Sequence, residues 1–123
     1  MASTGHTFPK AERISGVKDV AALLAGGKWM RSELLKACYM RNDLEFSRIV
    51  VAVPKRLFKR AVKRNLLKRR IREAYRLQKE LLGAATGATA TGFDILLQYN
   101  SPEVADFSSI RDDVAVVLHR IAE

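Results

Sequence analysis

The residues best suited to chemistry in this chain are its cations, and they are crowded together. Between Lys55 and Lys79 the sequence places 12 Lys or Arg and one acid, Glu73, a local charge of +11. The remainder holds 10 basic and 12 acidic residues, so the whole excess behind the net +9 lies in this one segment. Its spacing also stacks like charges. Arg60, Arg64 and Lys68 follow one another at i,i+4, and Lys68, Arg72 and Arg76 do the same. Each such pair costs an isolated helix about 0.2–0.5 kcal/mol, whereas a merely solvated face gains by alternating signs. A helix that carries several like-charge pairs points to an anion that offsets them, nucleic acid ahead of a membrane surface. Arginine forks match phosphate bidentately, and Lys55 and Arg56, directly after an apolar run, are placed to grip phosphate as well.

The other reactive side chains form no catalytic constellation. Asp112 and Asp113 are adjacent in a helical pattern and point about 100° apart, so they are not a metal-binding pair. His6 and His119 have no partner at ligand spacing, and there is no Gly-rich phosphate loop, no His-Glu-x-x-His and no Ser or Cys nucleophile setting. The expectation is no catalytic residue, no protein metal site and no organic cofactor. The lone Cys38 excludes an internal disulfide or thiolate zinc cluster and fits a reducing compartment. No apolar run approaches the roughly 20 residues of a membrane span, and Met1–Lys10 lacks a signal-peptide stretch. A cytoplasmic protein with no membrane partner is expected.

These residues need a scaffold, and 123 residues with 48% hydrophobic content suit one domain, 1–123. Residues 1–7 are polar and expected to fray. Ser15 suits the N-cap of a helix over about Gly16–Ala25, and Gly26-Gly27 stop it. Lys28–Met40 reads as strand, in one or two pieces, and Arg41–Asp43 as a turn. Ser47–Val53 is a nearly continuous apolar strand that predicts cover on both faces. Pro54 ends it, and the basic helix runs from about Arg56 or Phe58 to Leu82. Residues 83–92 (GAATGATATG) read as a flexible linker within the domain. Phe93–Tyr99 is a strand, and Asp106–Ile121 a helix with a stripe at Ile110, Val114, Val117, Leu118 and Ile121. The order predicts an α+β or α/β two-layer sandwich, three helices on a small sheet.

On a 100° wheel the basic helix separates into two sectors. Leu66, Leu67, Ile71, Ala74, Tyr75, Leu77, Leu81 and Leu82 form the core sector. Asn65, Lys68, Arg69, Arg72, Arg76 and Lys79 fall within an arc of about 100° on the other side. Arg60, Lys63 and Arg64 lie near the boundaries, where long side chains reach outward. Asn65 suits a base edge, a 2′-hydroxyl or a metal-bound water, and spacing alone leaves an ordinary surface asparagine equally open.

The stretch from Ser47 to Arg76, SRIVVAVPKRLFKRAVKRNLLKRRIREAYR, resembles the signature of the protein subunit of bacterial ribonuclease P. The pattern A-x-x-R-N-x-x-K-R-x-x-R-E falls on Ala61, Arg64, Asn65, Lys68, Arg69, Arg72 and Glu73. Phe8-Pro9-Lys10 through Arg13, and a short helix ending in Gly27-Lys28, are similar to the family's start. The resemblance implies a small mixed sheet with the long basic helix in a left-handed β-α-β crossover. It implies a catalytic RNA partner, precursor tRNA as substrate, Mg2+ bound mainly by the RNA, and no further protein partner. RNA contacts are then expected from Lys55, Arg60, Lys63, Arg64, Asn65, Lys68, Arg69, Arg72 and Arg76.

The chain departs from the family pattern twice. Leu66 stands where a third basic residue is common, so that one RNA contact is either missing or taken over by Lys63 or Arg70. Val20 and Leu24 replace aromatic residues that face the 5′ leader, so the expected leader set is Phe8, Val20, Leu24, Trp29 and Tyr39. The alternative reading is a ribosome-associated RNA-binding protein with no part in a reaction, from which the RNA-facing motif discriminates.

Overall fold

A computed structural model describes residues 13–14, 16–42, 44, 46–82 and 92–122. The expectations for residues 1–7, Phe8, Ser15 and the linker up to residue 91 lie outside the described residues. The elements are α1 (Val17–Gly26), β1 (Lys28–Arg31), β2 (Leu35–Arg41), β3 (Arg48–Ala52), α2 (Ala61–Gln78), β4 (Phe93–Tyr99) and α3 (Phe107–Ala122). The four strands form one mixed sheet in the order β1-β2-β4-β3. β1–β2 and β2–β4 are antiparallel, and β3 runs parallel to β4. A parallel pair needs a long crossover, and α2 supplies it.

The sheet is packed unequally on its two faces. Leu35, Ala37, Ile49, Val51, Ile95, Leu97 and Tyr99 face α2 and α3 and form the main core with Leu67, Ile71, Tyr75, Ile110, Val114 and Leu118. On the other face α1 covers only a small cluster, Ile14, Leu23, Cys38 and Leu96. Val50 and Ala52 stay half-buried there, so β3 is sealed on one face and only partly covered on the other, against the expectation of full cover. A single ten-residue helix is too narrow to roof four strands. Burial pushes the Cys38 thiol up, and its Sγ donates to Leu23 O at 3.3 Å. Gly27 permits this close approach: a Cβ there would stand 2.6 Å from Cys38 Sγ.

Two buried carboxylates pin the ends of the sheet. Asp113 of α3 accepts from Ser32 Oγ and from the backbone N–H groups of Glu33 and Leu34, closing the β1–β2 turn. Asp94 of β4 accepts a bidentate Arg48 fork at 2.9 and 2.7 Å and the Asn42 amide at 2.8 Å. Arg48 also reaches Asp19 of α1 at 3.5 Å, and the pairing with Asp94 raises its pKa further.

Candidate nucleic-acid interface

α2 begins later than the sequence suggests. Pro54–Leu57 is a turn closed by Leu57 N–H to Pro54 O, Phe58 plugs the core, and the helix starts at Ala61 with extended Arg60 at its N-cap. The missed boundary has a cause in Arg64. Its Nη1 donates to both Phe58 O and Lys59 O at 2.8 Å, which holds the preceding segment in a non-helical path. Arg64 is therefore half-buried and partly committed to its own chain, not a fully open fork. No side chain caps the first turn and no acid lies in it, so the positive end of the helix dipole is left beside exposed Lys55, Arg56, Lys59, Arg60 and Lys63.

Leu67, Ile71, Ala74 and Tyr75 bury one face of α2, as the wheel predicts. Leu66 is only half-buried, at the edge of that sector. On the opposite face Asn65, Arg69, Arg72 and Arg76, at i, i+4, i+7 and i+11, line one open cavity of about 430 Å³ with Arg13 and Glu73. Asn65, Arg69 and Arg72 are exposed there. Arg76 holds Glu73 by two bonds, 2.9 and 2.6 Å. That hydrogen-bonded pairing lowers the Glu73 pKa below the usual carboxylate range and raises that of Arg76. The result is a basin that offers several guanidinium donors, one amide and one carboxylate acceptor.

The remaining expected residues distribute as follows. Lys68 is half-buried and does not line the basin. Lys79 stands at the C-cap, past the last helical turn. Arg70 is half-buried, and its Nη1 donates to Ala105 O at 2.5 Å, which commits part of its fork to tying α2 to the segment before α3. Arg13 was not among the expected RNA contacts. It reaches the basin because the chain just ahead of α1 pairs with β3, Ile14 N–H donating to Ile49 O, and no local pattern announces that pairing. Glu73 is legible in the sequence as the lone acid of the segment and the last residue of the family pattern, and its i,i+3 spacing to Arg76 is a recognisable pair signal as well.

The expected leader residues do not share one face. Val20 and Leu24 lie on α1, Val20 half-buried against the small cluster and Leu24 exposed. Trp29 pairs across strands with Cys38 and so stands on the α1 face. Tyr39 points the other way, into the main core, edge-on to Phe93 at 6.4 Å. Alternation along β2 separates it from Cys38, and Tyr39 is therefore corrected out of that set.

A family model described as ribonuclease P matches residues 8–122. The chain belongs to the ribonuclease P protein family. A ribonuclease P protein component from Thermotoga maritima is 31% identical over 121 residues, covering 94% of this chain and 97% of that one. One from Porphyromonas gingivalis is 33% identical over 116 residues, covering 92% and 85%. The solved ribonuclease P protein of Thermotoga maritima superposes with a TM-score of 0.74 at 26% identity, covering 89% of this chain and 96% of that one. As a ribonuclease P protein the chain is a subunit of an endoribonuclease, and its α+β sandwich is the fold of that family.

Proposed function

We propose that this ribonuclease P protein binds the enzyme's catalytic RNA through the exposed face of α2, and helps that RNA remove the 5′ leader of precursor tRNA in the cytoplasm. The observation that carries the reading is the basin in which Arg13, Asn65, Arg69, Arg72 and Arg76 converge around Glu73. Guanidinium groups there meet phosphates bidentately, and Asn65 adds a directional donor and acceptor that distinguishes one RNA surface from another. Lys55, Arg60 and Lys63 extend the positive field past the helix start. Arg64 supports both the fold and the field, since its charge remains while Nη1 holds the turn.

The Mg2+ that the family's reaction uses is assigned to the RNA. Among the described residues no three His, Cys, Asp or Glu side chains gather where they could hold a metal ion. The two buried carboxylates are saturated by protein donors, Asp94 by Arg48 and Asn42 and Asp113 by the β1–β2 turn. The protein's part is to bind, to neutralise phosphate repulsion and to hold the leader near the open side of the sheet beside α1. None of the described helices is long and apolar enough to cross a membrane. The test is reconstitution with a bacterial ribonuclease P RNA at low magnesium. Addition of this protein is expected to restore 5′ cleavage of precursor tRNA, and failure at every protein concentration overturns the reading.

A further inference from the structure

We infer that Val62 and Leu66, at the start of α2, form an apolar contact for the sugar surface of the bound RNA, between phosphates that the neighbouring cations hold. Val62 is 78% exposed, the most exposed of the large hydrophobic side chains among the described residues. It belongs to the first turn of α2, and Leu66, one turn on, is half-buried. At that exposure Val62 has no packing role in the fold. A β-branched residue is also a weaker helix former than the Ala, Lys and Arg around it. Neither the core nor helix propensity accounts for a valine at this position.

The surroundings decide what binds. Around the helix axis Leu66 lies about 40° from Val62 on one side, and Arg69 about 20° from it on the other. Buried Leu67 and Ile71 lie about 140° and 180° away, so Val62 points away from the sheet. The apolar pair therefore continues the face that carries the basin, past Asn65 and Arg69 and toward the helix start. Exposed Lys63 stands on one flank of the pair, and exposed Asn65 and Arg69 on the other. A phosphate seated on two apolar side chains would lose hydration and gain no partner. In a nucleic-acid strand each sugar lies between two phosphates, which matches the order cation, apolar pair, cation on this face. The wide, shallow groove of A-form RNA displays its sugars and 2′-hydroxyls to a protein. A second copy of the chain is a poorer occupant, because the pair sits inside the +11 segment and would bring like charges together.

This contact rests on the proposed binding of the catalytic RNA by α2, and it names the part of that RNA which the first turns of the helix meet. Leu66, where the family pattern commonly carries a cation, meets a sugar in place of a phosphate. Cations alone let a strand slide along the helix, whereas an apolar pair between cations fixes its register.

The test sets charge against shape. The full-length protein is titrated with a bacterial ribonuclease P RNA across a salt series, as wild type, Val62→Ala and Val62→Lys, with circular dichroism confirming the fold. Val62→Ala is expected to bind about threefold to tenfold weaker with an unchanged salt slope, the scale of two buried methyl groups. Val62→Lys is expected to bind more weakly than wild type although it adds a positive charge. A Val62→Lys protein that binds as well as wild type or better, or a Val62→Ala protein that binds as wild type does, overturns the contact. Hydroxyl radicals attack the ribose, so their cleavage of the bound RNA reads the sugar directly. Wild type is expected to protect a set of nucleotides that Val62→Ala and Leu66→Ala both expose again, and unchanged protection in either variant overturns the pair. Sedimentation without RNA covers the other occupant. Self-association of the wild type that Val62→Lys abolishes assigns the pair to a second copy and overturns the RNA contact. A wild type that does not bind the RNA overturns the reading of α2 itself, and this contact with it.

Discussion

Asn65 and Glu73 separate directional recognition from bulk charge, because neither adds a positive charge to the basin they line. Asn65→Ala removes no charge, so an account by electrostatics alone expects no change in RNA affinity. If Asn65 meets a desolvated RNA partner, the loss is about 1–3 kcal/mol. It should exceed that of Lys79→Ala, whose side chain stands past the helix end, with circular dichroism confirming that both variants fold. The reverse order would mean that charge explains binding. Glu73 has the opposite sign. Its folded pKa lies below the unfolded value, so its pairing with Arg76 stabilises above the ordinary carboxylate range and fades as pH falls through the depressed value. Glu73 stays ionised between about pH 5 and 7, and RNA affinity should show no Glu73-linked change in that window. Glu73→Gln should tighten RNA binding at low salt by about twofold to fivefold, the scale of one partly exposed charge pair. Weaker binding, read by fluorescence anisotropy, would show that the Glu73 carboxylate accepts a bond from the RNA.

The position of α2 along its own axis is set by contacts outside its sequence pattern. Arg64 fixes its start through Phe58 O and Lys59 O, and Arg70 fixes its middle through Ala105 O. Arg64→Ala should therefore lower both stability, by about 1–2 kcal/mol, and RNA affinity, whereas Arg69→Ala should lower affinity alone. Urea unfolding beside RNA titration checks this, and an Arg64→Ala protein of unchanged stability would return Arg64 to the role of an open fork. The β1–β2 turn depends on α3 in the same manner. Asp113 is 7% exposed and accepts from three donors, so Asp113→Ala strands two backbone N–H groups and leaves the Ser32 hydroxyl only Leu35 O. A loss of about 2–3 kcal/mol is expected. The salt dependence of RNA binding should not change, because Asp113 does not line the basin.

For the whole molecule the charge distribution decides how binding responds to salt. The basin on α2 and the exposed cations just before that helix belong to one continuous basic segment, so counterion release dominates. With about six phosphate contacts, log K should fall against log salt with a slope on the order of −4 to −5, and Arg72→Ala should flatten it by about one unit. A slope near zero, or one that Arg72→Ala leaves unchanged, would show that the stripe is merely solvated. The two sides of the sheet then divide the work. The thick side, with α2 and α3, holds the stability and presents the basin. The thin side, where α1 is the one helix among the described residues, leaves Trp29 half-exposed.

The sequence by itself determined what depends on neighbours along the chain. Helical periodicity placed Leu67, Ile71, Ala74 and Tyr75 inward and Asn65, Arg69, Arg72 and Arg76 outward, because a 3.6-residue repeat is a local property. The apolar runs at β3 and β4 and the stripe of α3 were legible for the same reason, as was the Arg-Asn motif that marks the family. The tertiary structure decided what depends on groups distant in the chain. Arg13 enters the basin only because the chain before α1 pairs with β3. Arg64 and Arg70 look like neighbours of Arg69 in sequence, yet they are partly committed by carbonyls that only the fold brings within reach. Tyr39 and Trp29 look interchangeable as aromatic residues on strands, and the register of β1 on β2 sets them on opposite faces of the sheet. A one-residue shift in pairing inverts every side chain, so the face a residue presents is settled by register, which composition and spacing do not encode.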